Sequence, residues 1–166
     1  MKEIKAKDIK QNMFSMLHDN WGIVCAGDEN SSSGMTVSWG ASGIMWEKPT
    51  VTVYIRPQRH TKVLIDANDR FSLSFLPEDM RHISQYFGKV SASDGTDKFK
   101  GAGAKRAFED GVPYVDGADM VFICRKLISG EFDPGRIYDM TNDSTYYADR
   151  DYHTYYIAEI ENVMVK

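Results

Sequence analysis

Arg56, Arg59 and Thr61 close the segment Met35–Thr61, MTVSWGASGIMWEKPTVTVYIRPQRHT, at the point where a β-prone run gives way to helical spacing. Thr36, Ser38 and Trp39 lie on a short alternating run, Gly40 to Gly43 is read as turning it back, and Pro49 precedes the strand-forming Thr50–Ile55. Val63, Leu64 and Ala67 then recur on one helical face. Thr61 or a neighbour therefore falls at a helix N-terminus, where free N–H groups and the macrodipole favour an anion, with two guanidinium groups close by. The chemistry this permits is phosphate binding. The plain alternative is a capped helix with two solvated arginines.

Elements on either side must hold this segment. Ile9, Met13, Met16 and Leu17 share a face over Asp8–Leu17, which predicts a short helix; Trp21–Gly27 reads as a strand and Asp28–Gly34 as a loop. Arg70–Leu76 is a further strand, and Pro77 opens a helix carrying Met80, Ile83, Ser84 and Phe87 on one face as far as Gly88. Lys89–Gly103, rich in Ser, Asp, Gly and Lys with a helical turn at Thr96–Lys100, is a second ligand-loop candidate. Met120–Gly130 and Tyr155–Val165 are long strands, separated by the aromatic and acidic stretch Asp133–Asp151. Many short strands with few helices suggest an antiparallel barrel, since closure removes exposed edges. Strand pattern alone leaves an OB-fold or a small sandwich open.

Composition narrows the function classes. With 166 residues, 42% hydrophobic and 27% charged, the chain is expected to form one domain over residues 1–166. A net charge of -4 without a basic run disfavours nucleic acid as a partner. No apolar run is long enough for a transmembrane helix, and Met1–Lys10, with its four lysines, lacks the apolar core of a secretory signal, so the expectation is a cytoplasmic protein with no membrane partner. Cys25 and Cys124 lie in apolar runs without metal-ligand spacing and read as buried thiols. Gly88-Lys89-Val90 fails the phosphate-loop pattern, no G-x-G-x-x-G follows a strand, and neither a metal set nor a serine-hydrolase elbow is found.

Several segments, taken in order, carry a resemblance. They are Thr36-Val37-Ser38-Trp39-Gly40, Gly43-Ile44-Met45-Trp46-Glu47-Lys48-Pro49, Arg56-Pro57-Gln58-Arg59-His60-Thr61, Phe71–Phe75, Asp97-Lys98-Phe99 and His153-Thr154-Tyr155-Tyr156. Their order and spacing resemble the flavin reductase-like family of FMN-binding split barrels, which includes flavoredoxin. The resemblance implies a mainly β fold, a six-stranded Greek-key split barrel with a few short helices, and FMN as cofactor. It places the phosphate at Arg59 and Thr61, with Arg56 adjacent, and the ring and ribityl edge along Thr36, Val37, Ser38 and Trp39, largely through backbone groups. Trp46 is assigned to the wall or the core. Lys89 and Ser91 fall where relatives have a loop that approaches the phosphate and ribityl groups, although this chain is one residue longer there and lacks the inner Ser-Gly pair. Of Lys89 and Lys98 the reading favours Lys89. His153 matches a histidine beside the flavin in relatives and is the catalytic candidate, although Asp151-Tyr152-His153 replaces the common G-D-H. The implied activity is hydride transfer from NAD(P)H to FMN and onward to an acceptor, in a homodimer with the flavin cleft at the subunit interface. A flavoredoxin-type electron carrier reduced by a protein partner is the first alternative, and a non-catalytic ligand-binding barrel the second.

Overall fold

The computed structural model describes residues 1–166. Its main sheet is antiparallel, with strands in the order β3 (Ser32–Val37), β2 (Gly22–Gly27), β6 (Arg70–Phe75), β9 (Met120–Glu131), β10 (Thr154–Val165), β5 (Lys48–Ile55) and β4 (Gly40–Met45), while β1 (Lys2–Ile4) pairs with the far end of β10. The sheet curls until β3 approaches β5, and the enclosed faces of β2, β3, β5, β6, β9 and β10 form one core. Alternation explains which side chains enter it: Val51, Val53 and Ile55 are fully buried, whereas Thr52, Tyr54 and Arg56 point the other way and stay partly exposed. Each fully buried aliphatic of this kind contributes roughly 1.5–3 kcal/mol. β10 runs the length of the barrel beside β9, with register shifts at Ile157/Ala158 and Ile160/Asn162 that let two long strands bend together.

A second core lies outside the barrel. Ile23, Cys25, Val121 and Ile123, on the outer faces of β2 and β9, pack with Ile83 and Phe87 of α3 (Arg81–Lys89) and Phe99 of α4 (Lys98–Ala102). Val112 and Val115 of the hairpin formed by β7 (Arg106–Glu109) and β8 (Val112–Val115) complete it. Both cysteines are free and buried, and burial pushes the Cys25 thiol up to about 12.

Several local expectations change. Gly40–Gly43 is strand, not turn; the reversal falls at Trp46 and Glu47, whose φ values of 52° and 61° make the two-residue hairpin loop. Gly40 is present because a Cβ there would stand 2.6 Å from the Thr52 carbonyl oxygen of β5. The predicted helix at Asp8–Leu17 is broken: a 3₁₀ turn at Ala6–Asp8 ends, the Asn12 side chain accepts from Phe14 N–H, and α1 (Met13–Ser15) restarts and widens into a π-turn over Met16–Asn20. The Asp28–Gly34 loop is shorter than expected, because Ser32, Ser33 and Gly34 already pair with β2. α2 (His60–Ala67) and α5 (Met140–Tyr146) complete the helices.

Candidate functional site

β3 ends the sheet, so one edge of its backbone has no strand partner. A cleft of about 180 Å³ is lined by Met35, Thr36 and Val37 of this strand and by Ser38 and Trp39 just after it, together with Tyr54, Arg56, Arg59 and His153. The Thr36 hydroxyl donates to the Ser84 carbonyl of α3, which commits that side chain to packing and leaves the strand backbone to meet a ligand. Seven of the residues expected from sequence, Thr36, Val37, Ser38, Trp39, Arg56, Arg59 and His153, therefore lie around one space. Trp39 is 41% exposed, at the rim.

The two arginines do different work. Arg56 pairs with the Asp151 carboxylate, donates to the Tyr146 carbonyl at 2.8 Å and lies 5.3 Å over the Tyr147 ring, so its charge is spent on the 146–151 segment. Arg59 has no carboxylate partner. It donates to the Gly88 carbonyl at 3.3 Å, and its buried Nε is unpaired. Lys98, only 5% exposed, donates to the neighbouring Phe87 carbonyl at 2.6 Å and also lacks a carboxylate. Burial first, and then the charge of Arg59, lowers the Lys98 pKa to about 8. Two uncompensated cations thus meet at the C-terminal end of α3. The carbonyls there satisfy their hydrogen bonds but supply only a partial negative charge. The buried Ser33 hydroxyl is unpartnered as well, and so is the buried Nε of Arg106, whose Nη2 pairs with Asp97.

Thr61, 2% exposed, sits in the first turn of α2 next to Arg59, the N-cap residue, which makes no side-chain cap. It is not among the lining residues. Lys89 and Ser91 are not brought to the cleft: Lys89 is exposed at the end of α3, and Ser91 bonds Ser93 on the surface. The reason is local, since Asp97 caps α4 by accepting from Phe99 and Lys100 N–H groups and so turns Lys98 inward while the loop before it faces solvent. Trp46 lies at the exposed tip of the β4–β5 hairpin, 63% exposed and outside the core.

His153 is buried beneath Trp39, whose ring centroid is 5.4 Å away. Its Nδ1 lies 2.8 Å from the Tyr147 hydroxyl. Burial, reinforced by Arg56, lowers its pKa to about 4, so the imidazole is neutral at physiological pH. The cleft continues across Ser38, Trp39 and Tyr54 into an apolar groove of about 680 Å³ that includes Met13, Phe14, Leu17 and Phe132. Alone, the cleft is smaller than the roughly 300–1,000 Å³ of small-molecule sites; with the groove it reaches that range. An elongated ligand with an anionic end and a flat apolar end fits this division. Tyr54 and Phe132, which line this space, and Tyr147, which bonds His153, were not singled out from the sequence, whereas Lys98 was weighed and passed over for Lys89. Tyr54 was legible from its alternation with Thr52 and Arg56, whereas Phe132 and Tyr147 lie where periodicity fails.

The family model described as flavin reductase like domain matches residues 14–166. Among solved structures, the chain is similar to an FMN-binding protein from Thermus thermophilus with bound p-hydroxybenzaldehyde, at 20% identity and a TM-score of 0.71, covering 100% of this chain and 82% of that one. It is similar to flavoredoxin from Methanosarcina acetivorans at 17% identity and a TM-score of 0.68, covering 89% and 68%. It is also similar to the styrene monooxygenase flavin reductase from Pseudomonas putida S12 at 23% identity and a TM-score of 0.63, covering 88% and 79%. No curated protein matches the sequence.

Proposed function

The chain belongs to the flavin reductase-like domain family, and from that premise we propose that it is an FMN-dependent oxidoreductase that accepts hydride from NAD(P)H and passes electrons to an acceptor. The observation that carries the choice of FMN is Arg59, a cation without a carboxylate that lines a cleft opening on apolar surface, together with Lys98, buried beside the same end of α3 and likewise without a carboxylate. A flavin phosphate is a dianion with oxygens that accept from both, and with Thr61 and the uncapped first turn of α2 it completes the charge balance. When bound, FMN would supply the hydride acceptance and the return of electrons. The protein's part is to hold and orient: the free edge of β3 offers backbone donors and acceptors to the polar rim of the ring, Tyr54 and Trp39 border its apolar body, and His153 faces the same space.

A flavoredoxin-type carrier, reduced by a protein rather than by a nicotinamide, is the second reading. The exposed aromatic rim favours it, since Trp39 lines the mouth, Tyr146 packs edge-on against it at 5.1 Å, and both are open to a large partner. Homodimer formation and a cytoplasmic location belong to the same proposal, the dimer being supported by the exposed Ile44 of β4 and Trp46 of the hairpin loop after it, and by a groove that one barrel leaves uncovered. One experiment tests the whole. FMN, FAD and riboflavin are titrated by fluorescence quenching, and the FMN complex is then mixed anaerobically with NADH or NADPH. Tight, FMN-selective binding and bleaching of the flavin bands are expected. Equal affinity for riboflavin refutes the phosphate assignment, and FMN binding without bleaching leaves the carrier as the surviving reading.

A further inference from the structure

We propose that Tyr147 is a positioning residue that fixes the tautomer of His153, so that the imidazole presents Nε2–H to the cleft as a neutral hydrogen-bond donor. The argument begins with the hydroxyl. Tyr147 is 6% exposed, and its Oη has one partner in the protein, His153 Nδ1 at 2.8 Å. A buried hydroxyl proton without an acceptor is costly, by roughly 1–3 kcal/mol, and Nδ1 is the acceptor within reach. Tyr147 therefore donates, Nδ1 accepts through its lone pair, and the ring proton resides on Nε2. No protein group bonds Nε2, and His153 lines the cleft.

The surroundings hold this arrangement rigid. Tyr147 stacks on Tyr152 at 4.8 Å and meets Phe132 edge-on at 6.3 Å, and the Arg56 guanidinium lies over its ring, 5.3 Å from the centroid. Arg56 is anchored in turn by Asp151, which Gln58 also bonds at 2.7 Å. The charged groups facing His153 are Arg56 and Arg59, which oppose its protonation, and Asp151, which favours it; with burial, the balance keeps the ring neutral. A neutral donor of fixed direction suits a ligand that gains electron density during the reaction, because its hydrogen bond strengthens without a proton having to be captured first. That last step rests on the flavin reading; the tautomer itself does not.

The test uses the ligand-free protein and two-bond proton–nitrogen correlation spectra of its histidines from about pH 5 to about pH 8, the window in which an ordinary histidine titrates, with His153→Gln assigning the signal. A single Nε2–H tautomer across the window is expected, giving way to mixed or Nδ1–H signals in Tyr147→Phe. A wild-type Nδ1–H tautomer overturns the proposal, and so does an Nε2–H signal that Tyr147→Phe leaves unchanged. The wild-type spectrum alone decides the first point if the variant does not fold. In the FMN-loaded protein, Tyr147→Phe is expected to slow flavin reduction roughly tenfold with FMN affinity unchanged, the loss of about one hydrogen bond of charged character. Failure of FMN to bind would count against the flavin reading, while the tautomer spectrum would still decide the role of Tyr147.

Discussion

Lys98 makes a two-sided prediction. An ordinary lysine titrates at 10.5, and this one is lowered to about 8 by burial and by Arg59. Without a ligand, the unfolded chain therefore binds a proton more readily than the folded one between those values, so stability is reduced below about pH 8 and recovered as pH rises towards 10.5. The shift corresponds to a cost on the order of 3 kcal/mol at neutral pH. A bound phosphate opposes that shift, because its second ionisation, near 6, leaves it a dianion above about pH 7. If the charged contact is worth roughly 1.5–3 kcal/mol, it raises the Lys98 pKa by roughly one to two units. Binding then takes up a proton above about pH 8, and FMN affinity should be level between about pH 7 and about pH 8 and fall ten- to hundredfold, roughly, by about pH 10. Riboflavin, without the phosphate, should show no such fall. Lys98→Met should weaken FMN by a similar factor at pH 7, abolish the alkaline fall, and raise the melting temperature of the ligand-free protein. The assay is fluorescence titration across pH with circular dichroism as the folding control. An FMN affinity that is flat to about pH 10, or Lys98→Met binding like wild type, would refute the reasoning.

Arg59→Ala and Thr61→Ala should each weaken FMN by about 1–3 kcal/mol with little effect on riboflavin, measured by the same titration. His153, held near 4 against an ordinary 6.5, costs nothing above about pH 6.5 and destabilises the fold progressively as pH falls towards 4, by up to about 3 kcal/mol; denaturant melts of His153→Gln should show a shallower acid limb than wild type. Sedimentation should show a dimer at micromolar concentration, weakened by Ile44→Glu, and a monomer that still binds FMN fully would exclude an intersubunit cleft. Gly34→Ala should lose about 1–3 kcal/mol in a thermal melt, because the added methyl would stand 2.9 Å from both the Cys25 sulfur and the Phe87 ring.

How far the sequence carried depends on the range over which each feature is determined. Thr50–Ile55 was legible because alternation of β-branched residues is a local signal that the barrel core only reinforces. The mainly β class and the large antiparallel sheet followed from such runs. Gly40–Gly43 misled because glycine there answers a close approach of β5, a tertiary fact, and not a turn. The hairpin of β7 and β8 carried a local signal that went unread, Asp110-Gly111 at positive φ between two strand-like runs. Lys98 could not be separated from Lys89 by spacing, since what distinguishes them is the Asp97 cap that turns one inward. The partners of His153 come from a stretch whose organisation rests on Arg56, Gln58 and Asp151, contacts between segments about ninety residues apart in sequence.

Pro57 explains how two arginines three positions apart take opposite roles. The residue before a proline is kept extended, so Arg56 continues the direction of β5 and stays on the face it shares with Tyr54 and Thr52, from which it can reach Asp151. The chain then closes a turn through Arg59 N–H to the Arg56 carbonyl, at 3.2 Å, and Arg59 becomes the N-cap of α2 with its backbone still extended. At that corner its side chain is directed to the end of α3, where no carboxylate waits. One cation is thereby consumed in ordering the aromatic segment that holds His153, while the other is left without a carboxylate at the cationic end of the cleft. Moving the proline by one residue would exchange neither charge nor composition, yet it would alter which arginine leaves the strand. The spacing of this turn, more than its charge, is what sets the polarity of the site.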